Sequence, residues 1–206
     1  MTVWFTADTH FGHTRILELC NRPFKTVEEM NERLVENWNE QVAPDDTTYI
    51  LGDLALGKLD DSLAYVAMLH GTKLLVPGNH DRVWSGHPKK GKPVRPEDLK
   101  RYEEAGLTIV DEISTFDYVA QGVGSFANPW ILCHFPDQGD SHDDDRFDAW
   151  RPALYPKHIL VHGHVHNKWL TNGPRINVGV DVWDFRPVRE DEVAVLATVA
   201  LKKAST

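Results

Sequence analysis

The residues able to do chemistry fall in five short segments: Asp8-Thr9-His10, Gly52-Asp53, Gly78-Asn79-His80-Asp81, His134 and Gly163-His164-Val165-His166. They offer carboxylates, imidazoles and one primary amide. This donor set, without thiolate, suits hard or borderline divalent ions such as Mn, Fe, Zn, Co or Ni. In an extended chain, residues i and i+2 face the same way, so Asp8 and His10 can reach one ion. His164 and His166 can do the same, or divide between two. Glycines before Asp53, Asn79 and His164 permit sharp turns and close backbone approach. The seven candidate ligands Asp8, His10, Asp53, Asn79, His134, His164 and His166 exceed what one ion needs. Two ions about 3.5–4 Å apart, sharing a carboxylate, would use them all.

Each segment follows an apolar run that reads as a strand: 3–7, 47–51, 73–76, 130–133 and 158–161. In open α/β sheets, sites form at the carboxyl ends of strands, so these side chains are expected to converge. Further strands are expected at 107–110, 115–120, 175–180 and 193–199. Helices are expected over 26–43, 60–70 and 96–105. The first opens on a capping box, Thr26 with Glu29, and carries Val27, Met30, Leu34, Trp38 and Val42 on one face. Asp60 or Asp61 can cap the second, with Gly71 placed to end it, and Gly106 closes the third. Segments 85–95 and 137–151 read as polar surface loops.

The 206 residues suggest one domain, 1–206, with an ordinary globular balance of 41% hydrophobic and 26% charged residues. A net charge of -9 argues against broad, nonspecific binding to nucleic acid or an anionic membrane. Cys20 and Cys133 stand far apart, which implies no disulfide framework and a reducing, cytoplasmic setting. Neither a signal peptide nor a membrane span is read.

Taken together, the five segments have the order and rough spacing of D-x-H, GD, GNH[DE], H and GHxH. In this the chain resembles the calcineurin-like metallophosphoesterases from residue 8 to 166. The strings DTHFGH, GNHDR and NVGVDVWDFRPV resemble its small bacterial and phage branch. The resemblance implies an α/β fold of two facing mixed sheets, a β-sandwich flanked by helices. It implies two divalent ions, Mn first among the candidates. Asp8, His10, Asp53 and His166 would hold one ion, and Asp53, Asn79, His134 and His164 the other, with Asp53 as the bridge. His80 would face the substrate and protonate the leaving oxygen or stabilise the transition state. Water activated between the cations would attack phosphorus.

There are departures from the family pattern. The protein-phosphatase branch carries GDxxDRG, whose second Asp orients the catalytic His and whose Arg binds phosphate. Here Gly52-Asp53-Leu54-Ala55-Leu56-Gly57 has neither, which argues against a Ser/Thr protein phosphatase. The orienting partner of His80 stays open. Arg82, Arg15 and His13 are candidate substrate contacts. Lys89-Lys90-Gly91-Lys92 with Arg95 reads as a phosphate-attracting lid or a solvated loop, and His142-Asp143-Asp144-Asp145 as a solvated loop or a third metal site. Asn177 and Asp181 are expected in structural hydrogen bonds. The expected substrate is a small phosphate ester, a diester or nucleotide-like molecule. A monoester or a nucleotide pyrophosphate link is the alternative. The presence of His80 argues against a non-catalytic scaffold.

Overall fold

The computed structural model describes residues 1–86, 93–118 and 128–203. Strand β1 (Val3–Thr6) is followed by one helical turn, α1 (Ile16–Leu19), and then by α2 (Val27–Gln41). Next come β2 (Thr47–Leu51), α3 (Leu59–Ala67), β3 (Thr72–Val76), α4 (Pro96–Glu104) and β4 (Leu107–Ile109). β1 to β4 are parallel neighbours in chain order. Thr6 pairs with Ile50, and Leu51 with Val76. The residues just beyond these strands, including Asp8, Asp53 and Asn79, therefore leave the sheet together at the carboxyl ends of its strands.

The second sheet holds β5 (Ile113–Phe116), β6 (Trp130–Cys133), β7 (Leu160–His162), β8 (Thr171–Asn172) and β9 (Arg175–Asn177) in the order β5-β6-β7-β9-β8. β6, β7 and β9 are parallel, and the edge strands β5 and β8 are antiparallel. The chain then returns to the first sheet, where β10 (Val188–Arg189) pairs antiparallel with β1. It ends in α5 (Glu190–Lys203). The result is the expected pair of mixed sheets with flanking helices.

Side chains alternate between faces with the strand period of two. Phe5, Leu51 and Val76 meet Trp130, Leu132, Val161 and Ile176 between the sheets. Truncating Phe5 to alanine there would cost about 3–5 kcal/mol. On the other face of the first sheet, Trp4, Ile50 and Leu75 lie under Met30, Leu34 and Trp38 of α2, Val66 of α3 and Tyr102 of α4. Cys133 and Leu160 of the second sheet are covered by Trp84, Phe135, Phe147 and Trp150, the last in a short 3₁₀ turn, instead of an α-helix.

Local chemistry explains most boundaries. Thr26 Oγ1 accepts the Glu29 amide at 3.1 Å, while the Glu29 carboxylate accepts from the Lys25 amide, one residue before the cap. α3 differs from expectation. Its capping position is Lys58, which makes no side-chain cap, and Asp60 and Asp61 lie in the first turn, where they complement the helix dipole. It stops at Ala67, and Gly71, at φ +79°, turns the chain into β3 instead. The strand expected at 193–199 is a correction: it lies within α5. Its buried residues are Val193, Ala194 and Ala197, a helical spacing, while Val195 and Val199 face outward. The acidic first turn and Lys202-Lys203 at the end suit a helix dipole. β9 stops at Asn177, and Val180–Val182 form a 3₁₀ turn. β5 starts earlier than expected, and residues 119–120 of that expectation lie outside the described residues, as do Lys89, Lys90, Gly91 and Lys92. No described helix is long and apolar enough to cross a membrane.

Candidate metal centre

The loops leaving the sheet ends are locked to one another by backbone hydrogen bonds. The amides of Asp8 and His10 donate to the carbonyls of Gly52 and Asp53, each at 3.0 Å. Asp81 is fully buried and accepts from the amides of Asp53, Leu54 and Gly78 at 2.9, 3.1 and 2.8 Å, tying the β2 loop to the β3 loop. The His164 amide donates to Asp8 Oδ2 at 2.9 Å and joins the second sheet to the first. A Cβ on Gly163 would lie 2.5 Å from Ala7 Cβ and 2.8 Å from Asp8 Oδ2, so only glycine permits this approach.

Five of the seven candidate ligands adopt positive φ: Asp8 +57°, His10 +52°, Asp53 +53°, His164 +71° and His166 +49°. Such backbone costs on the order of 1–3 kcal/mol per residue and persists where surrounding structure over-determines it. It also breaks the extended geometry on which the i, i+2 argument rested. Asp8 and His10 still fall together, but His164 and His166 separate. Donor atoms of Asp8, His10 and His166 lie within 4.8 Å of one another in one cluster, and those of Asp53, His134 and His164 do so in another.

The second cluster tests whether a cation fits. His134 Nδ1 lies 2.8 Å from the Leu51 carbonyl and donates to it, leaving a lone pair on Nε2 in the neutral ring. That atom faces His164 Nδ1 at 3.2 Å, Asn79 Oδ1 at 3.2 Å and Asp53 Oδ2 at 3.5 Å. Asp53 Oδ2 and Asn79 Oδ1 are both acceptors that converge on this atom, and a divalent cation there would satisfy them together. In the first cluster, Asp8 Oδ1 and both ring nitrogens of His10 are buried without a hydrogen-bond partner. Buried polar atoms left unpartnered, with a carboxylate oxygen and an imidazole lone pair among them, are costly unless a cation or ligand satisfies them. Asp53 stands between the clusters, its Oδ2 3.7 Å from His10 Nε2 as well.

The electrostatics show the same demand for positive charge. Burial opposes charge on both partners of the Asp53–His134 pair, yet their mutual attraction wins. The Asp53 carboxyl stays well below the usual range, and His134 is pushed up to about 9. His10 is held well below its ordinary value by burial, and His164 is lowered to about 4 by burial, with the neighbouring His134 adding to the effect.

His80 sits at the edge of this centre. Its amide donates to Asp53 Oδ1 at 2.9 Å, its Nε2 is 3.9 Å from Asp53 Oδ2, and its side chain is 42% exposed. Asp81 does not orient it, since both Asp81 oxygens are spent on backbone amides. Among the described residues, no side chain hydrogen-bonds the His80 ring. His13 lies near, its ring tilted against both neighbours at 5.2 Å from His10 and 6.4 Å from His80 between centroids, and burial lowers it to about 4. A cleft of about 610 Å³ opens beside His80, with Leu56, Leu59, Trp84 and Val94 in its walls. Arg82 and Arg95 line it too. Arg95 is paired with Asp98 at 2.6 Å, while the exposed Arg82 guanidinium has no ion pair among the described residues. Arg15 is exposed, does not line the cleft, and makes no side-chain hydrogen bond or ion pair among the described residues. His142, Asp143, Asp144 and Asp145 are exposed, and no metal-capable cluster forms there among the described residues.

Asn177 takes the expected structural role: its amide donates to the carbonyls of His166 and Trp169, and its oxygen accepts the Gly179 amide. Sequence reasoning missed Asp140 and Arg22 and gave Asp181 only a structural role. Arg22 grips both Asp181 oxygens at 2.8 and 2.9 Å and donates to the Asp8 and Thr9 carbonyls. No local spacing signals such partners, because Arg22 and Asp181 are 159 residues apart.

Comparison with known proteins agrees with the geometry. Residues 1–168 match the family described as calcineurin-like phosphoesterase. The chain is 32% identical over 200 residues to the Gene 66 protein of Mycobacterium phage L5, covering 92% of this chain and 91% of that protein. It is 34% identical over 198 residues to the Gene 66 protein of Mycobacterium phage D29, covering 91% and 92%. It is 30% identical over 203 residues to the uncharacterized protein MJ1445 of Methanocaldococcus jannaschii, covering 94% and 90%. Among solved structures, it is similar to the protein of unknown function AQ665 from Aquifex aeolicus, with a TM-score of 0.66, 26% identity, and coverage of 95% of this chain and 98% of that one. The chain therefore belongs to the calcineurin-like phosphoesterases, metal-dependent hydrolases of phosphoric esters, and within them to the small phage-type branch.

Proposed function

We propose that this enzyme hydrolyses a small phosphate ester, a diester or nucleotide-like molecule, at a centre of two divalent ions. The observation that carries this reading is the position of Asp53, between two clusters of carboxylate and imidazole donors, in the first of which Asp8 Oδ1 and both His10 ring nitrogens lack partners. Asp8, His10, Asp53 and His166 would hold one ion, and Asp53, Asn79, His134 and His164 the other. Bound there, such ions lower the pKa of water and offset charge on phosphoryl oxygens. The chain's own groups do the rest. The locked loops hold the donors in place before substrate arrives, so little reorganisation is needed in the reaction. His80 reaches the edge of the centre from the cleft wall, and an imidazole there can give a proton to the leaving oxygen.

The leaving group would occupy the cleft. Its volume suits a small molecule, and its walls are largely apolar. The net charge of -9 disfavours long nucleic acid. Arg82 is the one unpaired cation of the cleft wall among the described residues. That sparse positive charge favours a diester monoanion, while a monoester dianion would need Arg82 to complete its site. The buried, unpaired thiols of Cys20 and Cys133 agree with a reducing, cytoplasmic setting.

The test strips the purified protein of metal, restores Mn, and compares bis-p-nitrophenyl phosphate with p-nitrophenyl phosphate, using His80→Ala as the blank. Faster diester cleavage supports the reading. Faster monoester cleavage moves the substrate to phosphorylated metabolites or nucleotides. No cleavage above the blank while two ions bind would overturn the hydrolytic assignment of this centre.

A further inference from the structure

His164 and His166 lie two residues apart yet serve different clusters. Each also touches a buried carboxylate. Asp140, on the loop after β6, has a side chain with no exposure, and its Oδ2 lies 3.0 Å from His164 Nε2. Arginines hold that carboxylate: Arg146 Nη2 is 2.7 Å from Oδ1, and Arg151 Nη2 is 3.1 Å from Oδ2. Asp181, in the turn after β9, places Oδ2 3.4 Å from His166 Nδ1 while Arg22 holds both of its oxygens.

A carboxylate fixed by arginine has no proton to give. The ring N–H of His164 is not aimed squarely at Asp140 Oδ2, but two lone pairs 3.0 Å apart would repel, so the proton belongs on Nε2. That leaves Nδ1 bare, and Nδ1 is the atom 3.2 Å from His134 Nε2 in the second cluster. For His166 the same reasoning puts the proton on Nδ1 and leaves Nε2 for the cluster with Asp8 and His10, on whose ring His166 stacks at 5.1 Å. The two histidines thus present opposite ring nitrogens.

We propose that Asp140 and Asp181 are positioning residues, one for each ion, which fix the tautomers of His164 and His166 so that two histidines only two positions apart are divided between two ions. The proposal rests on the two-ion reading above. It also gives the loop over the second sheet a role at the centre, since Asp140 anchors that loop through Arg146 and Arg151 as it contacts His164. A purely structural role would leave the carboxylates tied to their arginines with no effect on metal affinity. Removing partners of this kind weakens metal binding by roughly 10–100-fold.

The experiment titrates metal-stripped protein with Mn(II) by calorimetry and follows melting temperature alongside. Wild type should bind two equivalents. Asp140→Asn should weaken one by roughly 10–100-fold, Asp181→Asn the other, and the double variant both. If the double variant weakens only one equivalent, or if melting temperature falls with affinities unchanged, the proposal is wrong. A single equivalent in wild type would instead overturn the two-ion reading, a failure visible before any variant is made. A second measurement needs no variant: long-range ¹H–¹⁵N spectra of the Zn-loaded wild type should show His164 protonated at Nε2 and His166 at Nδ1. Any other pair of tautomers contradicts it.

Discussion

At the candidate metal centre, several donors are backed by another group: His134 by the Leu51 carbonyl, His166 by Asp181, His164 by Asp140, and the Asp53 loop by Asp81. In the cleft beside it, the walls are apolar, the Arg82 guanidinium is unpaired among the described residues, and the His80 ring has no hydrogen-bond partner among them. One region is fixed by its own interactions, and the other keeps groups uncommitted. Buried polar groups are costly without partners, so most of the centre is tied down by its own bonds, whereas a cleft that receives substrate needs groups whose partner arrives with it. The class of reaction follows from the first region and the choice of substrate from the second.

Breaking the fixed region should have the largest effect. Asp53→Asn removes charge from both clusters at once. A loss of roughly 10³-fold or more in kcat/KM is expected, together with loss of bound metal by elemental analysis, because ions supply several kcal/mol of charge stabilisation. His80→Ala lies at the boundary between the regions. It should retain metal and lose roughly 10²–10⁴-fold in kcat. A larger loss for a poor leaving group than for nitrophenol would mark proton donation, and equal losses would mark charge stabilisation instead.

Within the cleft the effects should be smaller. Arg82→Ala should cost roughly 10- to 100-fold in kcat/KM, mostly through KM, the size of one charged hydrogen bond. An unchanged KM would place the substrate elsewhere. Far from both regions, Asp46 accepts from the Thr2 amide, the Trp4 indole and the Ala43 amide at 2.6, 3.0 and 3.1 Å. Asp46→Ala should leave kcat unchanged and cost about 1–3 kcal/mol of stability. Burial opposes its charge, but these bonds outweigh it and lower its pKa. The contribution is therefore present above the unfolded carboxylate value, about 3.9, and fades as pH falls through the lower folded value. Melting curves of wild type and variant should differ fully at pH 7 and converge in stronger acid.

The contrast between the regions also decides what could be read from sequence. Metal ligation restricts residue types, so Asp8-x-His10, Gly52-Asp53 and the rest are visible as letters at strand ends, and parallel register does the assembly. The cleft is built from segments 55–59, 80–84 and 93–98, ordinary residues that acquire meaning only when folded side by side. Asp140 escapes for the same reason, and Asp181 is read only as a structural hydrogen-bonding residue, because each meets its histidine through tertiary structure. The i, i+2 rule left His164 and His166 either together or divided, and the left-handed backbone that carries them, not extended strand, divides them. At the C-terminus, Val193 to Val199 has β-branched composition but packs by helical spacing, and packing prevails over propensity.

The most direct test of the account follows phosphodiesterase rate while Mn(II) is added in known equivalents to metal-stripped wild type. The account predicts that rate rises chiefly with the second equivalent and saturates when two ions are bound per chain. Full activity with a single ion per chain would contradict it.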